Sequence, residues 1–291
     1  MSPRIFVSVA LAFLVFPIAG FGQGPANLRQ EQPPIPIEEI IRKFADREKQ
    51  FRIARGSYTY RQDVTVQELN ANDRPLGEYH VISDIVFDPS GKRTERIVFA
   101  PASTLGTGQS TLNMDAQDMQ DIREIQPFVL TSDDIGKYNL KYLGKDKIDE
   151  IDNYVFDIAP KTIEKGQRYF QGQIWVDDQD LQIVKTYGKA VPDIREKGNE
   201  HLFPRFETYR EQIDQYWFPT YTKAVDTLQF SGGAKRIRQI IKYESYKKFE
   251  ADVKLTFGDA VDGGNVGQAP SASRKAPALD PKLNDPKAKK K

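Results

Sequence analysis

His80 and His201 are the only two histidines in a chain of 291 residues that contains no cysteine. One falls in a strand-like segment and the other in a charged loop, without the clustered spacing that a metal site needs. The lack of cysteine excludes disulfides, thiolate ligands, a cysteine nucleophile and a lipid on a lipobox cysteine. Asp133-Asp134 and Asp177-Asp178 have the chemistry for general acid–base work. Both pairs sit in turn-forming sequence, however, where short acidic side chains bond their own backbone. No Gly-x-Ser-x-Gly elbow presents a serine nucleophile. Gly106-Thr-Gly-Gln-Ser-Thr has the glycines of a phosphate loop, but lacks its lysine and its helix. Asp259, Asp262 and Asn265 do not have EF-hand spacing. The expectation is a protein with no catalytic residue, no metal and no cofactor, and not an enzyme.

The elements around these residues read mainly as strands. A helix begins behind Pro36, with Glu38 and Glu39 in its first turn to complement the dipole. Ile37, Ile40, Ile41, Phe44 and Phe51 share one helical face, interrupted by Glu48 where an apolar residue would continue it. From Ser57 the period becomes two, predicting strands near 58–69, 77–87 and 93–99 joined by turns. Asp115–Ile125 predicts a second short helix. Strands follow near Tyr138–Leu143 and Tyr154–Ile158, separated by a polar turn.

The central hairpin is Arg168–Lys189, with arms Tyr169–Val176 and Leu181–Tyr187 about the turn Asp177-Asp178-Gln179-Asp180. Alternation puts Phe170, Ile174 and Val176 on one face, and Tyr169 and Trp175 on the other. Such a hairpin belongs in a larger antiparallel sheet, because a solitary ribbon is marginal. Residues 192–204 read as a charged loop. A hairpin turning at Asp214 and a last strand at Lys235–Lys247 complete the pattern.

Composition sets the class. Hydrophobic residues make up 39% and charged ones 29%, with 13 Tyr and 17 Phe, which suits a β-rich fold with a polar surface. The net charge of +1 gives no electrostatic argument for nucleic acid. Residues 1–22 read as a cleaved secretory signal: Arg4, an apolar run Ile5–Phe16, then Pro17 and small residues at Gly20 and Gly22. The run is shorter than the roughly 20 residues that span a bilayer. Residues 23–36 read as a flexible linker, 37–257 as the folded domain, and 258–291 as a disordered Lys/Pro-rich tail.

Several segments then carry a resemblance. Asp121-Ile-Arg-Glu-Ile-Gln-Pro-Phe, Gly144 after Lys141-Tyr-Leu, Tyr154–Pro160, Gly172–Lys185, Tyr216-Trp-Phe-Pro and Arg236–Tyr246 are similar to the LolA/LolB-like outer-membrane lipoprotein-sorting family. The resemblance spans about residues 37–250. It implies an α+β fold, in which a strongly curved antiparallel sheet forms a half-open β-barrel covered by an N-terminal amphipathic helix and a second short helix. It also implies a periplasmic carrier for lipid or lipoprotein acyl chains, taking cargo from an inner-membrane donor complex to an outer-membrane acceptor.

On that reading Ile40, Ile41 and Phe44 supply the helix side of an apolar cavity, and Ile174, Trp175 and Val176 the sheet side. The alternative is a periplasmic β-scaffold or adaptor whose core is filled by its own side chains and whose ligand is a protein. An exported hydrolase lacks its nucleophile constellation.

Overall fold

The structure, a computed structural model, describes residues 28–88, 92–196 and 199–249. The expected signal segment and basic tail lie outside the described residues. Helix α1 spans Ile37–Arg55. Strands β1 (Tyr58–Leu69), β2 (Pro75–Phe87) and β3 (Arg93–Phe99) form a meander, followed by helix α2 (Ala116–Glu124). Next come β4 (Tyr138–Ile148), β5 (Ile151–Pro160), β6 (Tyr169–Asp177) and β7 (Ile183–Val191). A short pair, β8 (Ile194–Glu196) and β9 (Asn199–His201), precedes β10 (Phe206–Ile213), β11 (Tyr216–Phe230) and β12 (Gly233–Lys248).

Among the described residues, one antiparallel sheet of ten strands runs in the order β3-β2-β1-β12-β11-β10-β7-β6-β5-β4. Its ends, β3 and β4, do not pair, so the barrel is left half-open, as expected from the sequence. Register shifts interrupt six of the strand pairings, for example between Tyr142 and Gly144 and between Tyr209 and Arg210. Bulges of this kind bend a strand and increase its twist, which curves the sheet.

Glycine is required where β6 meets β7. Gly172 pairs with Gly188, and a Cβ on Gly172 would run into the Tyr187 carbonyl. At Gly144 the close neighbour is the Arg29 carbonyl oxygen, 2.5 Å from where a Cβ would sit. Arg29 in turn bridges Lys145, Gln30 Nε2 donates to the Leu143 carbonyl, and the Tyr142 hydroxyl donates to the Glu31 carbonyl. The described part of the expected linker therefore runs along β4.

Helix α1 buries Ile40, Phe44, Ala45, Glu48 and Phe51. Its apolar stripe packs on one face of β4–β7, β10 and β11, with Phe44 and Phe156 ring centroids 5.7 Å apart. A second cluster joins β1, β2 and β12 to the segment that carries α2, through Val66, Ile237, Leu112 and Ile122. On the opposite face of the sheet, Val155, Trp175 and Val184 make a separate apolar group.

Two segments differ from the sequence reading. The polar run after Leu143 was expected as a turn, but it extends β4 to Ile148, leaving only Asp149-Glu150 between strands. Its charges are accommodated by outward pairing, Lys145 with Asp178 at 2.6 Å and Asp146 with Trp175 Nε1 at 2.9 Å. The expected loop 192–204 contains the β8–β9 pair, and its Leu202 and Phe203 are buried.

Candidate functional site

Three segments converge over the sheet beside α1: the loop 105–115, α2, and residues 200–206. Buried Glu68 holds the loop, accepting hydrogen bonds from Ser110 Oγ at 2.8 Å and from the Thr111 and Leu112 amides at 2.7 and 2.9 Å. Burial works to raise the Glu68 carboxyl, but these bonds to its charged form keep it below the ordinary value. The Gly-rich stretch thus wraps a carboxylate of β1 through Ser110 and Thr111.

Asp115 begins α2 with a reciprocal capping box. Its side chain accepts from the Gln117 and Asp118 amides, while Asp118 accepts from the Asp115 amide. Arg168 and Asp121, both buried, form an ion pair of 2.8 Å that holds α2 to the start of β6. The Arg168 guanidinium also lies 3.8 Å from the Phe203 ring centroid and donates to the Pro192 carbonyl. Beyond α2, the Gln126 and Gln239 amides exchange two hydrogen bonds of 3.0 and 3.1 Å, pinning this segment to β12. His201 Nδ1 meets Asp115 Oδ2 at 2.9 Å and ties the third segment to the cap.

Between these segments lies a cavity of about 300 Å³. Val66, Leu112, Ile122, Leu202, Phe206 and Ile237 give it apolar walls, and Asp115, Asp118, Glu200, His201 and Lys235 form its polar part. Burial pushes the Asp118 carboxyl up to about 6, and the charge on Asp115 adds to the effect while His201 opposes it. Burial also raises Asp121 in spite of Arg168.

The residues singled out in the sequence fall elsewhere. Ile40, Phe44, Ile174 and Val176 are fully buried in one cluster, with Ile41 packed at its margin. Trp175 is on the opposite face, where its Nε1 donates to Asp146 and the Lys185 ammonium lies 4.7 Å from its ring centroid. Neighbours in a strand point to opposite faces, so Trp175 cannot share a cavity wall with Ile174 and Val176. The lining of the 300 Å³ cavity includes none of the residues expected from the sequence.

Among the described residues, which do not include Asp259, Asp262 and Asn265, the candidate chemical groups have structural partners. His80, on β2, meets Asp63 at 2.9 Å, whereas His201, on β9, meets Asp115. Asp133 and Asp134 bind Lys49, Arg52 and Lys137, which fastens their turn to α1. Asp177 accepts from the Gln179 amide, and Asp178 pairs with Lys145. Among the described residues, no group of three or more His, Cys, Asp or Glu is arranged to hold a metal.

No family model and no curated protein matches the sequence. Solved structures do. A DUF1329 family protein from Desulfovibrio piger is 15% identical, covering 76% of this chain and 95% of its own, with a TM-score of 0.34. A LolA superfamily protein from Nitrosomonas europaea is 15% identical over 74% and 94%, with a TM-score of 0.33. A putative outer membrane lipoprotein-sorting protein domain from Vibrio parahaemolyticus is 12% identical over 74% and 95%, with a TM-score of 0.32. The last two descriptions fall within the family that the sequence resembles. The likeness is one of fold. At such low identities and TM-scores, no ligand of this chain follows from it.

Sequence reading missed the cavity because its walls join residues distant in the chain, Val66, Ile122, Phe206 and Ile237 on strands and a helix with Leu112 and Leu202 on irregular segments. The available signal was Leu202-Phe203, an apolar pair inside a charged stretch, and Leu112 and Met114 between polar residues. Buried loop residues of this kind mark a segment folded back on the core.

Proposed function

We propose that this chain is an exported, non-enzymatic carrier that shelters a neutral acyl chain in the cavity between α2 and the sheet. The observation that carries this reading is the apolar-walled cavity of about 300 Å³, at the lower end of the ligand-site range of about 300–1,000 Å³. Roughly six methylenes buried there contribute about 5 kcal/mol, enough for submillimolar binding without a specific polar contact.

The polar lining selects among acyl compounds. Asp121 is matched by Arg168 and Glu200 is paired with Arg195 at 3.3 Å, which leaves the carboxylates of Asp115 and Asp118 against the single Lys235 ammonium, beside His201. This excess of carboxylates disfavours a free fatty acid, whose head group is anionic, and favours an ester or amide such as the acylated end of a lipoprotein. Export rests on the N-terminal sequence pattern.

The test is titration of the purified chain with a fluorescent acyl ester, together with native mass spectra. We expect saturable binding of the ester, weaker binding of the matching free fatty acid at pH 8, and loss of both on Met114→Trp, which fills the cavity. Ester binding that survives Met114→Trp would remove the cavity from the proposal. A protein-binding adaptor is favoured instead by strand β3, which ends the sheet among the described residues and exposes Ile97, Val98 and Phe99, a place where an extended peptide could add as a strand. A chain that binds no acyl ester in either measurement would favour that second reading.

A further inference from the structure

A second pocket, separate from the acyl cavity, lies where the ends of α1 and α2 approach β2 and β3. It has a volume of about 560 Å³ and is lined by four guanidinium groups, Arg52, Arg55, Arg93 and Arg123. Phe87, Pro127 and Val129 supply apolar lining, and Glu95 and Glu124 are its two carboxylates. We propose that this pocket binds a phosphate-bearing anion through Arg55 and Arg123.

The reasoning rests on how the charges are used. Arg52 is engaged by Asp133 and Asp134 at 2.9 and 3.1 Å. Arg93 is engaged by Glu95 at 2.9 Å and by Gln62 at 3.0 Å. Glu124 accepts from Gln120 Nε2. Among the described residues, Arg55 and Arg123 make no hydrogen bond or ion pair with a carboxylate. Arg55 instead lies 5.7 Å from the Phe87 ring centroid and 6.0 Å from that of Phe51. The Glu48 carboxylate feels its charge but is bonded to Arg210. Burial, aided by the like charges of Arg210 and Arg93 and opposed in part by Tyr60 and Tyr246, holds the Arg55 guanidinium below its ordinary value.

The helix ends account for part of this arrangement. Arg52 and Arg55 lie in the last turn of α1, and Arg123 in that of α2. Each helix C-terminus carries only about half a negative charge, spread over its carbonyls. Four guanidiniums against the two lining carboxylates, Glu95 and Glu124, leave the pocket cationic. Their forked donors match the oxygens of a phosphate, which a planar group can bind at two points. The apolar lining would accommodate an adjoining carbon skeleton.

The experiment titrates the full chain with inorganic phosphate, followed by thermal shift and NMR. In parallel, it measures binding to phosphatidylcholine vesicles with and without phosphatidic acid. Saturable phosphate binding that weakens with added salt, and falls at least about tenfold in Arg123→Gln and Arg55→Met, supports a free anion. Binding confined to phosphatidic acid vesicles, with the same sensitivity to substitution, supports a lipid head group. No binding of either probe, or binding in both variants unchanged from that of the parent chain, overturns the proposal. Arg123 lies half-buried on a helix end, so Arg123→Gln keeps the test informative if Arg55→Met fails to fold. Failure here leaves the acyl-carrier reading intact, since the two sites share no lining residue.

Discussion

Glu48 of α1 and Arg210 of β10 form a fully buried ion pair, with Arg210 Nη1 3.0 and 3.2 Å from the two carboxylate oxygens. The Ile183 amide also donates to Glu48, and Arg210 donates to the Phe128 carbonyl while packing over the Phe51 ring. One polar residue on the apolar stripe of α1 thus connects the helix to β7, β10 and the segment after α2. Removing one partner should be far worse than removing both. Glu48→Ala strands a buried guanidinium and is expected to cost about 3–5 kcal/mol, whereas Glu48→Leu combined with Arg210→Met should recover much of that loss. Urea unfolding of the single and double variants decides it. Equal losses in both would show that the pair's charges are immaterial.

Asp118 makes stability depend on pH. Its folded pKa of about 6 lies above the unfolded value of about 3.9. The folded chain holds the extra proton between those limits. The associated stability is therefore complete below pH about 4 and lost as the pH rises through about 6. Asp118→Asn should match the parent near pH 4 and exceed it by about 1–2 kcal/mol at pH 8, after allowance for solvent screening. Urea midpoints at the two pH values provide the comparison. A pH-independent difference would show that Asp118 is not the group responsible.

The Arg168–Asp121 pair should act as the clasp of α2. Arg168→Ala leaves Asp121 without its cation in a buried site, and we expect loss of about 3 kcal/mol or more. The more telling readout is amide hydrogen exchange. Exchange should accelerate across residues 116–126 before it does in β5 and β6, because the pair joins α2 to the sheet. Uniform acceleration would indicate global destabilisation instead.

Gly172 is expected to tolerate no side chain. Its φ of 157° and the approach of the Tyr187 carbonyl leave no room for a Cβ. Gly172→Ala should destabilise by about 2 kcal/mol or more. Thermal unfolding would measure it, and an unchanged Tm would mean that β6 and β7 can separate locally without cost.

Phe44 and Met114 should separate stability from binding. Phe44 is fully buried under α1, so Phe44→Ala is expected to cost about 3–5 kcal/mol. Met114 is only partly buried beside the cavity, so Met114→Trp should alter acyl-ester binding with little effect on the urea midpoint. A Phe44→Ala chain that stays stable but loses ester binding would return the ligand to the α1 side.

Much of the fold was legible because it rests on local periodicity. The stripe from Ile40 to Phe51 defines α1, and alternation in Tyr58–Leu69 and Tyr169–Asp177 defines strands that need only a covering layer. Polar residues obscured the extension of β4, since Lys145 and Asp146 find their partners, Asp178 and Trp175, on the β6–β7 hairpin about 30 residues on. Glu48 broke the helical pattern for a reason supplied by Arg210, 162 residues away.

By itself the sequence determined the strand-rich class, the two helices, the lack of cysteine chemistry and the apolar stripe that α1 buries. Those properties follow from spacing along the chain and from residue type. Only the tertiary structure decided where empty space remains. Ile40, Phe44, Ile174 and Val176 pack in one cluster away from the cavity, while Leu112, Ile122, Leu202 and Ile237, buried in the second cluster, also line it. A packed core and a cavity wall use the same apolar residues. The difference lies in distances between segments far apart in the chain, which no local pattern records.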